Sequence, residues 1–237
     1  MPIIVVQLFL VAIIAYLWGS IPAGYWMGKL LRGKDFDIRD YGSKKIGATN
    51  VLRTLGRGPA ALVFLFDISK GFGPTLLALY VPFLNIMGWG PPIAGLAALL
   101  GHCFPIFIGF KGGRGVLTGA GATLIISPFI FLISAVVTLT TITTSRYVSL
   151  GSVLGSLAAV VSGLVFFFIG LAIPSFFIHV SFPQLLFLVI APTLVIIFHY
   201  DNIGRLLSGT ERKIGQKVQI EEKPTSDTSS PSSNVQA

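Results

Sequence analysis

Cysteine and acidic residues are scarce in this chain of 237 residues, which has one cysteine, Cys103, and only 9 Asp and Glu together. A single cysteine excludes an internal disulfide and a thiolate metal site. The three histidines are scattered along the sequence without the spacing of a metal-binding motif, and the few carboxylates form no cluster. We therefore expect a protein that needs neither a bound metal nor a cofactor.

Charge of either sign is also rare, because charged residues make up 11% of the chain against 53% apolar residues, with a mean hydropathy of +0.83. A soluble domain carries about 25% charged residues. The 17 Lys and Arg give a net charge of +8, but they concentrate in separate connections between apolar runs, which is typical of membrane topology rather than of nucleic-acid binding. The sequence predicts an all-α integral membrane protein that contacts lipids and no nucleic acid.

Apolar runs that could cross a bilayer, at about 20 residues each, number about seven. The run over 115–144 is interrupted by Ser127 and Pro128. We predict two short helices joined by a turn there, because a single helix would place Arg146 on the side opposite to the other cations. The predicted spans cover residues 3–31, 58–80, 85–110, two segments within 115–144, 150–173 and 182–199.

The charged connections all fall on one side of this predicted topology. The opposite connections, 81–90, 127–128 and 174–183, contain no Lys, Arg, Asp or Glu. Since cations mark the cytoplasmic side, the amino terminus is predicted outside and the carboxyl terminus inside, with the polar motif loops facing the cytoplasm. No basic segment precedes the first run, so we expect no cleaved signal peptide. Residues 1–217 form one predicted membrane domain, and the polar residues 218–237 form a predicted disordered tail.

The first polar loop, residues 42–53, combines two glycines with hydroxyl, amide and cationic side chains. Its glycine spacing is that of a nucleotide-binding P-loop, but Ala48 and Thr49 stand where that motif requires Lys-Ser/Thr, so a P-loop is excluded. Backbone N–H groups and a guanidinium still favour a phosphate-bearing ligand. The alternative is a surface turn with Thr49 or Asn50 as a helix cap. The candidate ligand-binding residues are Gly42, Ser43, Gly47, Thr49, Asn50 and Arg53.

A second polar segment places two cations and three glycines directly before an apolar helix, at residues 111–115. Free N–H groups at a helix start favour an anion. The alternative is a topological anchor followed by small residues for helix packing. The candidate residues here are Lys111, Gly112, Gly113 and Arg114, and Arg146 joins them from the next cationic loop.

A third polar segment ends the last predicted span. His199, Asn202 and Arg205 recur at i, i+3 and i+6, on one face of a helix, with Glu211 close behind. The alternative is a helix that binds lipid head groups. In the second span, Asp67 and Lys70 stand at i and i+3, where we expect an ion pair, and charges inside a membrane are candidates for function. Three polar segments on one face predict a shared site for two anionic ligands.

These motifs resemble those of the bacterial acyl-phosphate-dependent glycerol-3-phosphate acyltransferase family, the PlsY type. The resemblance covers about residues 3–215, in order. The chain departs from the family pattern at Lys44-Lys45, where the family has Gly-Asn, and at Arg114, where it has lysine. The matching stretches are 19–25, 42–53, 67–71, 101–115, 145–150 and 199–211.

The resemblance implies transfer of a fatty acyl group from acyl phosphate to the 1-hydroxyl of sn-glycerol 3-phosphate, giving lysophosphatidate and inorganic phosphate. It implies a bacterial inner-membrane enzyme, working as a monomer, in which Glu211 and Asp67 give structural support and Lys70 joins the phosphate-binding residues. Either His199 or the substrate phosphate accepts the hydroxyl proton. An anion transporter and a structural lipid-binding protein are the alternatives. The residues expected to carry the chemistry are Ser43, Arg53, His199 and Asn202, with Arg114 as a phosphate ligand.

Overall fold

The computed structural model describes residues 2–216, in which all regular elements are helical. Short 3₁₀ turns at Ile38–Asp40, Ile86–Gly88 and Ile106–Ile108 lie in the connections. The tail predicted for residues 218–237 lies outside the described residues. The α-helices of the described chain are α1 (Pro2–Gly19), α2 (Ala23–Arg32), α3 (Ala48–Thr54), α4 (Arg57–Tyr80), α5 (Gly90–Cys103), α6 (Val116–Ile126), α7 (Pro128–Ser145), α8 (Val148–Ala172), α9 (Phe182–Ile197) and α10 (Tyr200–Leu207).

Five helical segments of the described chain are long and apolar enough to cross a membrane, and a sixth is added if α9 and α10, bent by 55°, count as one span. The predicted division of residues 115–144 is confirmed, because α6 ends before Ser127 and α7 begins at Pro128. Proline suits the first turn of a helix, where its missing N–H needs no partner. At about 16 Å, α6 is shorter than the hydrocarbon core of a bilayer, so length and composition alone do not give seven spans.

The first predicted span, residues 3–31, matches one candidate span of the structure, Ile3–Arg32, but its helix is interrupted at residues 20–22 between α1 and α2. Pro22 disfavours helical geometry in the residue before it and lacks an N–H for the helix. The hydroxyl of Ser20 donates to the Tyr16 carbonyl at 2.8 Å and so closes the end of α1. In the sequence, Ser20 and Pro22 are the signal for this break, and no charged residue stands beside them.

The main core is formed by α5, α6, α8 and α9, where Leu99, Ala122, Ala159 and Leu188 are buried together. Helix α4 packs closely on α6 because Gly71 lies against the backbone of α6, where a Cβ atom would overlap a carbonyl oxygen. This packing brings the loop before α3, the start of α6 and the α9–α10 junction to one end of the bundle, around a common cavity.

Candidate active site

A cavity of about 410 Å³ lies where the three polar motifs meet. Its walls are apolar in one part and polar in the other. Apolar residues of the transmembrane helices line one part, among them Phe131, Ala135, Leu139, Ile142, Ala159 and Val195. The polar part is lined by residues from all three motifs, which include Ser43, Gly47, Thr49, Asn50, Arg53, Arg114, His199, Asn202 and Glu211.

Asn50 organises the first loop from a fully buried position. Its Oδ1 accepts a hydrogen bond from the backbone N–H of Ser43 at 2.9 Å. The residue that caps α3 is Gly47, so neither Thr49 nor Asn50 has the predicted capping role. The side-chain amide of Asn50 is used within the protein and holds the loop against the cavity. Its Nδ2 donates, at 2.8–3.2 Å, to the carbonyls of Ile38, Tyr41 and Lys45.

Arg53 projects from α3 with only 9% of its surface exposed and lines the cavity. Its Nη2 donates to the Arg212 carbonyl at 3.2 Å, and the Arg212 Nη1 donates to the Gly42 carbonyl at 3.0 Å. Within residues 2–216, Arg53 forms no ion pair. Burial lowers the pKa of Arg53, while the Glu211 carboxylate opposes that shift. Arginine nevertheless stays protonated in proteins, so a buried positive charge faces the cavity.

Arg114 joins the second motif to the third. Its Nη2 lies 2.7 Å from the Asp201 carboxylate, and its Nε donates to the Phe198 carbonyl at 3.1 Å. A guanidinium can serve two such acceptors in one plane, which the lysine of the family pattern cannot do. Arg114 therefore has a structural role in this chain.

Glu211 is the centre of the third motif. Its Oε1 accepts from Ser149 Oγ at 2.9 Å and from Asn202 Nδ2 at 2.7 Å, and its Oε2 accepts from Arg205 Nε at 2.7 Å. Burial acts to raise the pKa of Glu211, but these hydrogen bonds outweigh it and lower that pKa, so the carboxylate is ionised at neutral pH. The carboxylate thereby fixes the side chains of three residues.

Asn202 is oriented by this contact. Because its Nδ2 donates to Glu211, its Oδ1 remains as a buried acceptor without a partner in the described part of the chain. Asn202 also lines the cavity. A buried acceptor is costly unless it receives a hydrogen bond, and a hydroxyl group of a ligand can supply one.

His199 lies between α9 and α10 and is buried at the cavity wall. Its Nδ1 is 2.7 Å from the Val195 carbonyl, which can only accept, so Nδ1 carries the proton. In the neutral ring, Nε2 is then the acceptor. The histidine is therefore held in the tautomer that can receive a hydrogen bond from a substrate hydroxyl.

Several predicted site residues lie away from the cavity wall as the described residues define it: Gly42, Lys70, Lys111, Gly112, Gly113 and Arg146. Lys70 is fully buried and forms the predicted ion pair with Asp67 at 2.6 Å. The backbone carbonyl of Arg146 accepts from the N–H of Ile214 at 2.8 Å and so ties the α7–α8 turn to the last described residues.

The cavity wall also includes residues that were not among the predicted site residues: Lys45, His102, Ser149, Ser152 and Ser156. Ser149 lies in stretch 145–150, which resembles the family, and this resemblance is the feature of the sequence that could have indicated Ser149 as a site residue. Across residues 2–216, no three His, Cys, Asp or Glu side chains come together as a possible metal site.

The comparisons with known proteins agree on one family. The family model described as glycerol-3-phosphate acyltransferase matches residues 9–209. The glycerol-3-phosphate acyltransferase of Thermoanaerobacter sp. strain X514 is 42% identical over 212 residues, which cover 89% of this chain and 98% of the relative. The corresponding protein of Macrococcus caseolyticus strain JCSC5402 is 43% identical over 209 residues, with 88% and 97% covered.

Two solved structures have the same fold. Both are crystal structures of PlsY, an integral membrane glycerol 3-phosphate acyltransferase, one in its glycerol 3-phosphate form and one in its lysophosphatidic acid form. Their TM-scores are 0.74 and 0.71, at 37% identity, with 88% of this chain and 96% of each solved chain covered. These findings favour an acyltransferase over the transporter alternative. The chain is an integral membrane acyltransferase and belongs to the glycerol-3-phosphate acyltransferase family.

Proposed function

We propose that this enzyme transfers a fatty acyl group from acyl phosphate to the 1-hydroxyl of sn-glycerol 3-phosphate, the first acylation of phospholipid synthesis. The products are lysophosphatidate and inorganic phosphate. The observation that carries the proposal is one cavity that joins the buried Arg53 guanidinium, the half-buried Arg114 and neutral hydrogen-bond donors to apolar helix walls. Such a cavity suits ligands with a phosphate at one end and an acyl chain at the other. Of the ligands named in the two solved relatives, lysophosphatidic acid has both a phosphate and an acyl chain, and glycerol 3-phosphate has the phosphate alone.

The cations and donors of the polar part bind the phosphate groups in this mechanism. Arg53 provides a buried guanidinium for bidentate contact with phosphate, Ser43 adds a neutral donor, and Arg114 contributes a second positive charge. Both substrates are then held together in one site, which lowers the entropic cost of their reaction. As the phosphate departs, these same groups stabilise the negative charge that accumulates on it.

The glycerol hydroxyl attacks the acyl carbon directly. The hydroxyl oxygen forms the new ester bond, the bond from the acyl carbon to the phosphate oxygen breaks, and its electron pair leaves with the phosphate. His199 Nε2 and Asn202 Oδ1 are the acceptors that orient the glycerol hydroxyl groups. The hydroxyl proton passes to the departing phosphate. An acyl phosphate is a mixed anhydride with a good leaving group, so no covalent acyl-enzyme is needed.

The donor assignment is tested by offering purified full-length protein glycerol 3-phosphate with either palmitoyl phosphate or palmitoyl-CoA, without added metal. We expect lysophosphatidate, followed by mass spectrometry, from palmitoyl phosphate alone, because Arg53 and Arg114 stabilise a departing phosphate, whereas the thioester loses a thiolate. A reaction without enzyme measures spontaneous acylation by the reactive anhydride. Product from the thioester alone would remove the acyl phosphate donor. Absence of product from both, with folded protein, would contradict acyl transfer itself.

We further propose that the enzyme spans the plasma membrane of a bacterium seven times, with its amino terminus outside and its motif loops in the cytoplasm. The support is the distribution of cations over alternate connections. The seventh span requires that α6 crosses together with its neighbours in spite of its length. The enzyme acts as a monomer in this proposal, because a single chain supplies all three polar motifs to the cavity.

Cysteine labelling tests the orientation, and the chain suits it because Cys103 is its one cysteine and is buried. In a Cys103→Ala background, Ser175→Cys reports the α8–α9 connection and Lys34→Cys the α2–α3 connection, both at exposed positions. We expect a membrane-impermeant maleimide to label Ser175→Cys on intact cells and Lys34→Cys only after permeabilisation. The reverse pattern would invert the topology, and labelling of both positions on intact cells would reject it.

A further inference from the structure

Three ionisable side chains form a buried cluster behind the second motif. Lys70 Nζ of α4 lies 2.6 Å from Asp67 Oδ1 and 3.3 Å from Nδ1 of His102 in α5. His102 Nδ1 is also 3.5 Å from Asp67 Oδ1. All three side chains are at least 95% buried. Charges with so little access to water are expensive and are retained where they have a purpose.

His102 contacts the loop of residues 111–115 through its backbone and its ring. Its carbonyl accepts from the N–H of Gly113 at 3.1 Å, and the neighbouring Cys103 carbonyl accepts from Gly112 at 3.1 Å. The ring nitrogen Nε2 lies so close to Gly113 that a Cβ atom at this position would overlap the imidazole. The ring edge therefore fixes where the backbone passes immediately before Arg114.

The ion pair fixes the ring in turn. An ammonium group can only donate, so His102 Nδ1 accepts from Lys70 and the ring proton resides on Nε2, towards Gly113. Asp67 balances the charge of Lys70. The backbone carbonyl of Asp67 also accepts from Thr118 Oγ1 at 3.0 Å, which ties α6 to α4 directly after the same loop. The cluster thus holds the loop from both of its ends.

We propose that Asp67, Lys70 and His102 are positioning residues for the second motif and, through it, for Arg114 at the cavity. Lys70 then supports the phosphate site from behind and does not itself bind phosphate. The inference rests on the proposed function in taking glycerol 3-phosphate as the substrate whose binding it affects. Removal of a merely structural ion pair would change stability alone. Removal of a positioning cluster changes KM for that substrate, and the size of that change depends on the residue at position 113.

A double-mutant cycle between His102→Asn and Gly113→Ala measures this coupling. Asparagine keeps an acceptor for Lys70 close to the position of Nδ1 but lacks the ring edge that faces Gly113. We expect Gly113→Ala alone to raise KM for glycerol 3-phosphate about tenfold or more, because its methyl group meets the ring. In the His102→Asn background, the same change is expected to raise KM about threefold or less. Equal factors in the two backgrounds would overturn the proposal.

A second variant removes the ion pair and leaves the His102 ring in place. Asp67→Asn combined with Lys70→Met removes both charges and preserves the side-chain volumes. We expect KM for glycerol 3-phosphate to rise about fivefold or more, with a smaller change in kcat, because His102 loses the partner that orients it. An unchanged KM in folded protein would remove Asp67 and Lys70 from the proposal. Failure of His102→Asn to fold would also contradict it, since the ring is assigned a local role.

The measurement uses purified full-length enzyme and the acyl donor that supports turnover by the unmodified protein. A wrong assignment of acyl phosphate as the donor therefore leaves this test intact. Binding of glycerol 3-phosphate, measured by calorimetry in the absence of donor, gives the same cycle if neither donor supports turnover. Thermal unfolding in detergent identifies the variants that are folded.

Discussion

Replacing Arg53 with alanine is expected to lower kcat/KM for acyl transfer at least about a hundredfold and to leave folded protein in the membrane. Arg53 is the buried guanidinium that faces the cavity without an ion-pair partner in the described chain. Its only protein acceptor there is the Arg212 carbonyl, at the long distance of 3.2 Å. Truncation therefore removes a phosphate ligand and leaves no buried carboxylate unpaired. Initial rates with purified enzyme at varied substrate concentrations measure the effect.

Two variants control this experiment. Arg53→Lys keeps the charge but cannot form paired hydrogen bonds with phosphate, so we expect activity between those of alanine and arginine. Arg57→Ala removes an exposed arginine at the start of α4 and is expected to retain normal turnover. Near-normal turnover by Arg53→Ala would exclude Arg53 from the site.

Glu211→Ala is expected to reduce the yield of folded protein, with a loss of about 3 kcal/mol in the free energy of unfolding. The carboxylate accepts hydrogen bonds from Ser149, Asn202 and Arg205, which belong to α8 and α10. Without it, these donors lose their partner and the guanidinium of Arg205 keeps only its weaker contact with Asp201 at 3.4 Å. Expression level, size-exclusion profile and thermal unfolding in detergent measure the loss.

Glu211→Gln tests how much of this stability depends on the charge of the side chain and how much on its shape. Glutamine fills the same space and retains one accepting oxygen, so we expect a smaller loss of stability than for alanine. Asp35→Ala removes an exposed carboxylate from the α2–α3 connection and is the matched control, with no expected effect. A Glu211→Ala protein that folds normally but does not turn over would contradict a role in stability alone and would show that Glu211 acts on the reaction, directly or through Asn202.

The two interruptions of the helical pattern show how far the fold could be predicted. At Ser127 and Pro128 the charge of the following loop settled the question, since only two helices place Arg146 with the other cations. At residues 20–22, Ser20 and Pro22 stand in the sequence, but no charged residue lies near enough to show whether the helix stops there. Composition indicates which segments lie in lipid, whereas this break depends on the backbone restriction at Pro22 and on the hydrogen bond from Ser20 to Tyr16.

The site, too, could be predicted from the sequence only in part. Arg53, His199 and Asn202 stand in contiguous motifs, and they line the cavity in the structure. The pairing of Lys70 with His102 joins residues 32 apart, and that of Ser149 with Glu211 joins residues 62 apart. Neither contact has a local pattern, because the first results from the packing of α4 against α5 and the second joins α8 to the segment after α10. Sequence reasoning therefore finds the groups that meet a ligand more readily than the groups that hold them.

The change in wall character along the cavity has a consequence for the fate of the product. Phe131 and Ile142 lie about 16 Å apart along the axis of α7, at 1.5 Å per residue, and both line the apolar part. In the proposed reaction, the lysolipid product has its phosphate among the loops and its chain among the helices. In the proposed topology, this is the orientation of a phospholipid in the cytoplasmic leaflet. Release of the product into that leaflet then requires no reversal of its orientation.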